Sequence, residues 1–238
     1  MINRVLLLAA IVGIIVFGVL PVGAEDEVKR AFTDHTEEFH KVWVHLLWDI
    51  GIIGGIFLIL SIYFMFAYRR KRDDQIGNGP KFTTMGMILG WALIPSFIFM
   101  ADDFYLSAQG WKLWIDQRTV PENAMEVEVT GQMWGWEFEY ENGAISDNDE
   151  GLVVPEGRPV VLRMKSDDVV HSFFIPRYRI KEDLMPGRVT YLWFYPKDKG
   201  EHVFTCTEFC GTNHSEMWGK VKVVSQEEFD EWSEKNKG

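Results

Sequence analysis

Cysteine is scarce in this chain: 238 residues hold only two, Cys206 and Cys210, so one internal disulfide is the most that oxidation could make. Basic charge is also short. Lys and Arg number 24 against 35 Asp and Glu, a formal charge of −11, and most of the deficit lies after residue 106, where 24 acids face 15 bases. Such a surface repels nucleic acid and attracts a basic partner, although solubility alone also explains a diffuse acidic surface. There is no internal repeat and no low-complexity segment. A phosphate-binding glycine loop, a nucleophile elbow and a Cys-x-x-Cys-His haem-attachment signature are all missing, which leaves NTP hydrolysis, serine esterase chemistry and covalently attached haem without support.

What the chain does have is unevenly spread apolar sequence. Residues 1–24 carry Arg4, an apolar run from Val5 to Leu20 and the small-residue end Val22-Gly23-Ala24. They read as a secretory signal cleaved after Ala24, with an uncleaved first membrane helix as the alternative. Ile50–Tyr68 is long and uncharged enough to span a bilayer, with Trp43, Trp48, Tyr63 and Tyr68 toward its ends as interfacial anchors. Arg69, Arg70, Lys71 and Arg72 follow at once, so the positive-inside rule puts this loop in the cytoplasm. A second run, Phe82–Met100, contains Pro95 and ends at Asp102 and Asp103. The reading is a transmembrane hairpin within 25–106, spanning about 45–68 and 82–102, with both ends outside. A linker, 107–123, leads to an exported domain, 124–238. His35, His40 and His45 recur every five residues, which does not stack imidazoles on one helix face, and are read as interfacial or solvated.

After Ala124, seven alternating or β-branched runs recur between turn signals: AMEVEVT, WEFEY, PVVLRM, VVHSFFI, RVTYLWFY, HVFTC and WGKVKVV. They predict an all-β sandwich or barrel. SQEEFDEW predicts a short C-terminal helix with Ser225 as N-cap and Glu228 completing a capping box.

The chemistry is concentrated in CTEFCGTNHSEM, Cys206–Met217, which brings two thiols, the imidazole of His214 and the thioether of Met217 within twelve residues, with Gly211 allowing a tight turn. A second imidazole, His171, lies in the apolar run VVHSFFIP. Sulfur and nitrogen donors with a weak thioether select copper over calcium or magnesium. A structural disulfide or a tetrahedral zinc site uses the same cysteines and histidines, but neither requires Gly211, Glu208 and Met217 at those spacings. Two bridging thiolates can hold two copper ions, each completed by one His and one weak donor.

The pattern Cys-x-Glu-x-Cys-Gly-x-x-His-x-x-Met, met by Cys206, Glu208, Cys210, Gly211, His214 and Met217, resembles the binuclear copper (CuA) domain of subunit II of haem-copper cytochrome c oxidases. That resemblance implies a cupredoxin-like Greek key and copper held by His171, Cys206, Cys210, His214, Met217 and the backbone oxygen of Glu208. The Glu208 side chain would reach a magnesium ion shared with the large subunit. In GQMWGWEFEY, Trp134, Trp136, Phe138 and Tyr140 alternate, so on a strand all four rings would face one way; core packing explains such a stripe, and the resemblance assigns electron entry to Trp134. Met133 and Gly135 depart from the family's usual residues there.

Residues 119–157 hold ten acids and no Lys or Arg. Among them Glu137, Glu139, Glu141, Asp147, Asp149 and Glu150 would steer a cytochrome c donor. IKEDLMPGR, residues 180–188, would turn Asp183 and Arg188 toward the large subunit or its haem propionates. The implied whole is an electron-entry subunit in a bacterial cytoplasmic membrane, its copper domain on the periplasmic side. Subunit I, which holds the haems, and subunit III would be its partners. One departure is that MGMILGW, before Trp91, lacks the acid that many relatives carry at a proton-channel mouth. It keeps open a haem-copper nitric oxide reductase fed by the same domain. A membrane-held copper-delivery protein is the alternative of a different class.

Overall fold

The computed structural model describes residues 32–76 and 84–238; the expected signal segment, 1–24, lies outside them. The chain divides into two units: one includes Lys41–Ser107, the other combines Ala31–His40 with Ala108–Gly238.

Two helices dominate the first unit, α1 (His35–Ala67, 33 residues) and α2 (Met85–Arg118, 34 residues). Each is long and apolar enough to cross a membrane. At ~1.5 Å per residue each extends roughly 50 Å, well beyond a ~30 Å hydrocarbon core, so both must protrude from it. This accounts for a departure from the sequence reading: the segment after Ser107 does not leave the helix as a loop but continues it to Arg118, because no proline interrupts the chain between Pro95 and Pro121. His45 is half-buried, which agrees with an interfacial position. Its Nε2 lies 3.2 Å from Asp49 Oδ2 and 3.3 Å from Asp102 Oδ1, tying α1 to α2.

The second unit is a β-sandwich. Its strands are β1 (Met125–Gln132), β2 (Gly135–Tyr140), β3 (Ile145–Asp147), β4 (Leu152–Pro155), β5 (Val160–Ser166), β6 (His171–Ile175), β7 (Ile180–Leu184), β8 (Thr190–Phe194), β9 (Gly200–Cys206) and β10 (Trp218–Val224). One sheet has the order β3-β2-β1-β5-β8, the other β4-β10-β9-β6-β7. The β1–β5 and β4–β10 pairs are parallel, and the remaining neighbours antiparallel. Alternation explains which faces meet: β1 buries Met125, Val127 and Val129 and turns Glu126 and Glu128 outward, while β10 buries Val221 and Val223 and exposes Lys220. An aromatic cluster fills the space between the sheets. Phe173 and Phe204 lie with centroids 4.8 Å apart, Trp136 stands edge-on to Phe173 at 5.0 Å, and Phe138 meets Phe204 at 5.5 Å.

Helix α3 (Gln226–Lys235) closes the chain with the expected capping box. His35 corrects its reading as an interfacial or solvated residue: it is fully buried, edge-on to Trp193 at 4.7 Å, because the start of α1 packs against β8. Next to it, buried Asp34 receives Lys197 at 3.1 Å.

Candidate metal centre

Four pieces of backbone converge at one end of the sandwich. β6 begins with His171, β9 ends with Cys206, and the two strands pair so that Phe173 lies opposite Cys206. The loop from Cys206 to Met217 joins β9 to β10, and its two ends are pinned by the Cys206 N–H donating to Met217 O at 2.9 Å. The loop is thus a continuation of the β9–β10 ladder, which fixes where both terminal donors point. Inside it, the His214 N–H donates to Gly211 O and His214–Glu216 forms a 3₁₀ turn that swings the imidazole back toward Cys210. Gly211, at φ +127°, supplies the left-handed backbone the turn needs. A Cβ there would also stand 3.1 Å from Trp134 Nε1, so the absence of a side chain lets the indole close on the loop.

The donor atoms that the sequence pointed to come together. Cys206 Sγ and Cys210 Sγ are 3.8 Å apart; Cys206 Sγ is 3.9 Å from His171 Nδ1, and Cys210 Sγ is 3.5 Å from His214 Nδ1 and 3.7 Å from Met217 Sδ. Glu208 contributes its carbonyl, 3.3 Å from Cys206 Sγ, while its side chain is exposed. The cysteines are unbridged, far beyond the ~2.05 Å of a disulfide. Cys206, Cys210, Met217 and His171 are buried and His214 is half-buried. Burial, reinforced by the neighbouring Cys206, pushes the Cys210 thiol up to about 11.

Several contacts fit a soft metal better than an apolar core. Neighbouring donors are 3.5–3.9 Å apart, shorter than the ~4.3 Å that a ~2.3 Å sulfur bond and a ~2.0 Å nitrogen bond would span in line, so an ion fits between them on a bent path. Among the described residues, His171, Cys206 and Cys210 present ligand atoms within 4.8 Å of one another. The candidate donor set is two cysteine sulfurs, two imidazoles, a thioether and a carbonyl, which suits copper and carries three sulfurs where a catalytic zinc site of the three-histidine kind has none.

Two neighbouring residues escaped the sequence reading. Trp136, taken only as core, stands edge-on to His171 at 5.9 Å and donates its Nε1–H to Met217 O at 3.4 Å, so it braces two donors. Asp168, three residues before His171, places Oδ1 2.8 Å from His171 Nε2. Burial alone would raise its pKa, but hydrogen bonds from His171, Val169 and Met133 outweigh that and hold the carboxyl below its usual range. The signal was available, since metal-binding histidines commonly donate their second N–H to a carboxylate, but Asp167 competed for the same role.

The aromatic stripe is also corrected. Trp136, Phe138 and Tyr140 lie on β2 and are buried, whereas Trp134 precedes the strand, sits in the β1–β2 turn and is 37% exposed. The steering acids vary in their freedom. Glu139, Glu141, Asp147 and Asp149 are exposed, Glu137 is half-buried, and Glu150 is engaged by Lys222 at 3.2 Å and by the Trp232 indole N–H at 3.1 Å. Burial, with Glu139 next to it, raises the Glu137 pKa. Asp183 accepts from Ser172 Oγ at 2.6 Å.

Residues 141–224 match the family described as cytochrome c oxidase subunit II, periplasmic domain. Over 227 residues the chain is 30% identical to a probable cytochrome c oxidase subunit 2 of Rickettsia bellii, covering 84% of this chain and 80% of that protein. It is 28% identical to cytochrome c oxidase subunit 2 of Cereibacter sphaeroides, with 79% and 73% covered. The crystal structure of the periplasmic domain of subunit II of cytochrome oxidase from Bradyrhizobium japonicum is similar at 30% identity and a TM-score of 0.49, over 50% of this chain and 97% of that one.

Proposed function

The chain belongs to the cytochrome c oxidase subunit II family, and from that premise we propose that it is the electron-entry subunit of an oxygen-reducing complex, taking electrons from cytochrome c and delivering them to haem in the large subunit. It is a membrane-anchored subunit of a haem-copper oxidase, with the large subunit as its partner; a third subunit is expected beside it. The single observation that carries the electron-entry reading is the meeting of His171, Cys206, Cys210, His214 and Met217 around two unbridged thiols.

In this reading Cys206, Cys210, His171 and His214 would hold a pair of copper ions, with Met217 and the Glu208 carbonyl as the weaker donors. Such a pair, when bound, would supply a one-electron redox group. The protein's part is to hold the donors still. Trp136 and the β9–β10 ladder fix the loop, and burial keeps water from the sulfurs. Trp134, exposed and lying against Gly211, is the entry point for electrons, and the exposed Glu208 carboxylate faces outward for a magnesium ion shared with the large subunit. The Arg69–Arg72 cluster after α1 supports a cytoplasmic loop, hence a copper domain on the periplasmic side of a bacterial cytoplasmic membrane.

Metal analysis and electron paramagnetic resonance on the full-length chain, purified in detergent without its partners, test this reading. The expected result is two coppers per chain with one unpaired electron coupled to two copper nuclei. Coupling to one nucleus, or zinc alone, overturns it.

A further inference from the structure

Asp168 is one of the few groups outside the donor set that reaches both the site and the surface in front of it. It lies after β5, in the short turn that leads into β6, and uses both carboxylate oxygens. Oδ1 accepts from His171 Nε2 at 2.8 Å and from the Val169 N–H at 2.6 Å; Oδ2 accepts from the Met133 N–H at 2.6 Å. The Ser166 hydroxyl accepts from the Asp168 N–H at 3.3 Å and donates to the Val169 carbonyl at 2.5 Å, which holds the turn itself in place. His171 is fully buried, and its other nitrogen, Nδ1, faces Cys206.

We propose that Asp168 is a positioning residue with two tasks: it fixes His171 as the tautomer whose Nδ1 is free to bind metal, and it ties that imidazole to the Met133–Trp134 turn carrying the exposed indole. The proposal rests on the copper reading of the site. An imidazole donates from one nitrogen and ligates with the other, so a carboxylate on Nε2 decides which is which and raises the basicity of Nδ1. The second oxygen makes the arrangement specific. A carboxylate can accept from His171 and from Met133 at once, whereas a side-chain amide, with one acceptor oxygen and one donor nitrogen, must leave one of those two N–H groups facing another donor. Removing the charge therefore disturbs either the ligand or the entry turn, with almost no change in shape.

Asp168→Asn, Asp168→Ala and the neighbouring control Asp167→Asn are to be prepared in the full chain within its purified complex, beside the unaltered protein. If the unaltered protein lacks the two-copper signal, the copper reading itself has failed, and the positioning role falls with it. If it has that signal, Asp168→Asn is expected to retain two coppers but to shift the nitrogen hyperfine coupling of one histidine and leave the other unchanged. Copper retention against a chelator should fall ~10–100-fold, and Asp167→Asn should change neither quantity. Unchanged nitrogen coupling and copper retention in both Asp168 variants overturn the proposal. So does an equal shift of both nitrogens, and so does failure of both Asp168 variants to fold and assemble, which would mark Asp168 as a residue of the fold alone.

Discussion

The Met217 thioether lies 3.7 Å from Cys210 alone, whereas each cysteine touches the other thiol and a histidine. This asymmetry sets unequal consequences for substitution. Met217→Leu keeps a buried side chain of similar volume and removes only a weak donor, so copper is expected to stay bound with a changed reduction potential. Cys206→Ser or Cys210→Ser removes one of the two sulfurs proposed to hold the copper pair and is expected to abolish the two-copper resonance signal. Metal loss from Met217→Leu together with a retained two-copper spectrum in Cys210→Ser would reverse the assigned roles. That these six residues meet could be read from sequence because five of them belong to one twelve-residue loop, where spacing alone limits what can come together. Asp168 could not be read in the same way: its role depends on which of two adjacent aspartates a turn points inward. Trp134 misled for a related reason, since alternation holds only while the chain is extended and β2 begins one residue later, at Gly135.

At the scale of elements, the seven runs that alternate or are rich in β-branched residues all became strands. The three strands that escaped are β3, β4 and β7, of three to five residues. β4 is buried at every position and so has no alternation to detect, while β7 presents Lys181, Glu182 and Asp183 in a row. The helix α3 was legible in detail because a capping box is local chemistry. The Glu228 N–H donates to Ser225 Oγ at 3.2 Å, and the Ser225 N–H donates to Glu228 Oε2 at 2.8 Å. Ser225→Ala is expected to cost about 1 kcal/mol of stability in thermal unfolding, seen first as loss of the Phe229 and Trp232 packing on Tyr140. The acid side of the pair gives a pH dependence. Hydrogen bonds from the Ser225 backbone and side chain, followed by Lys199, lower the Glu228 pKa from 4.5 to about 2. A folded pKa below the unfolded one means that the contribution is present above pH 4.5 and is lost as pH falls toward 2. Glu228→Gln should remove that part of the acid sensitivity. An unchanged acid unfolding profile in the variant would show that the pair does not contribute.

Over the whole molecule, the acidic excess and the exposed indole fall on the same unit, and this permits a division of labour between steering and electron entry. The ten acids of residues 119–157 are not equivalent. Glu126 meets Arg163 at 3.2 Å, Glu128 is paired with Lys165, and Glu150 is paired with Lys222, so their fields are largely compensated. Glu137 and Asp147 lie opposite one another across β2 and β3, with Glu139 two residues along, a cluster on the hairpin that starts beside Trp134 and that the charge of Lys165 offsets only in part. Charges of one sign on a surface accelerate encounter with an oppositely charged partner and are screened over ~10 Å at 0.1 M salt. Neutralising Glu137, Glu139 and Asp147 together should therefore slow association of cytochrome c several-fold at low ionic strength and flatten its salt dependence, leaving the electron step within the encounter complex intact. Trp134→Phe should do the reverse, because it removes the indole that lies against Gly211 and leaves the charges in place. Flash-induced electron transfer over a range of salt and donor concentrations separates the two, since the association rate depends on donor concentration and the internal step does not. A silent Trp134→Phe variant, with a salt dependence unchanged by removing the three acids, would move electron entry away from this hairpin and leave Trp134 as a cover over the metal loop.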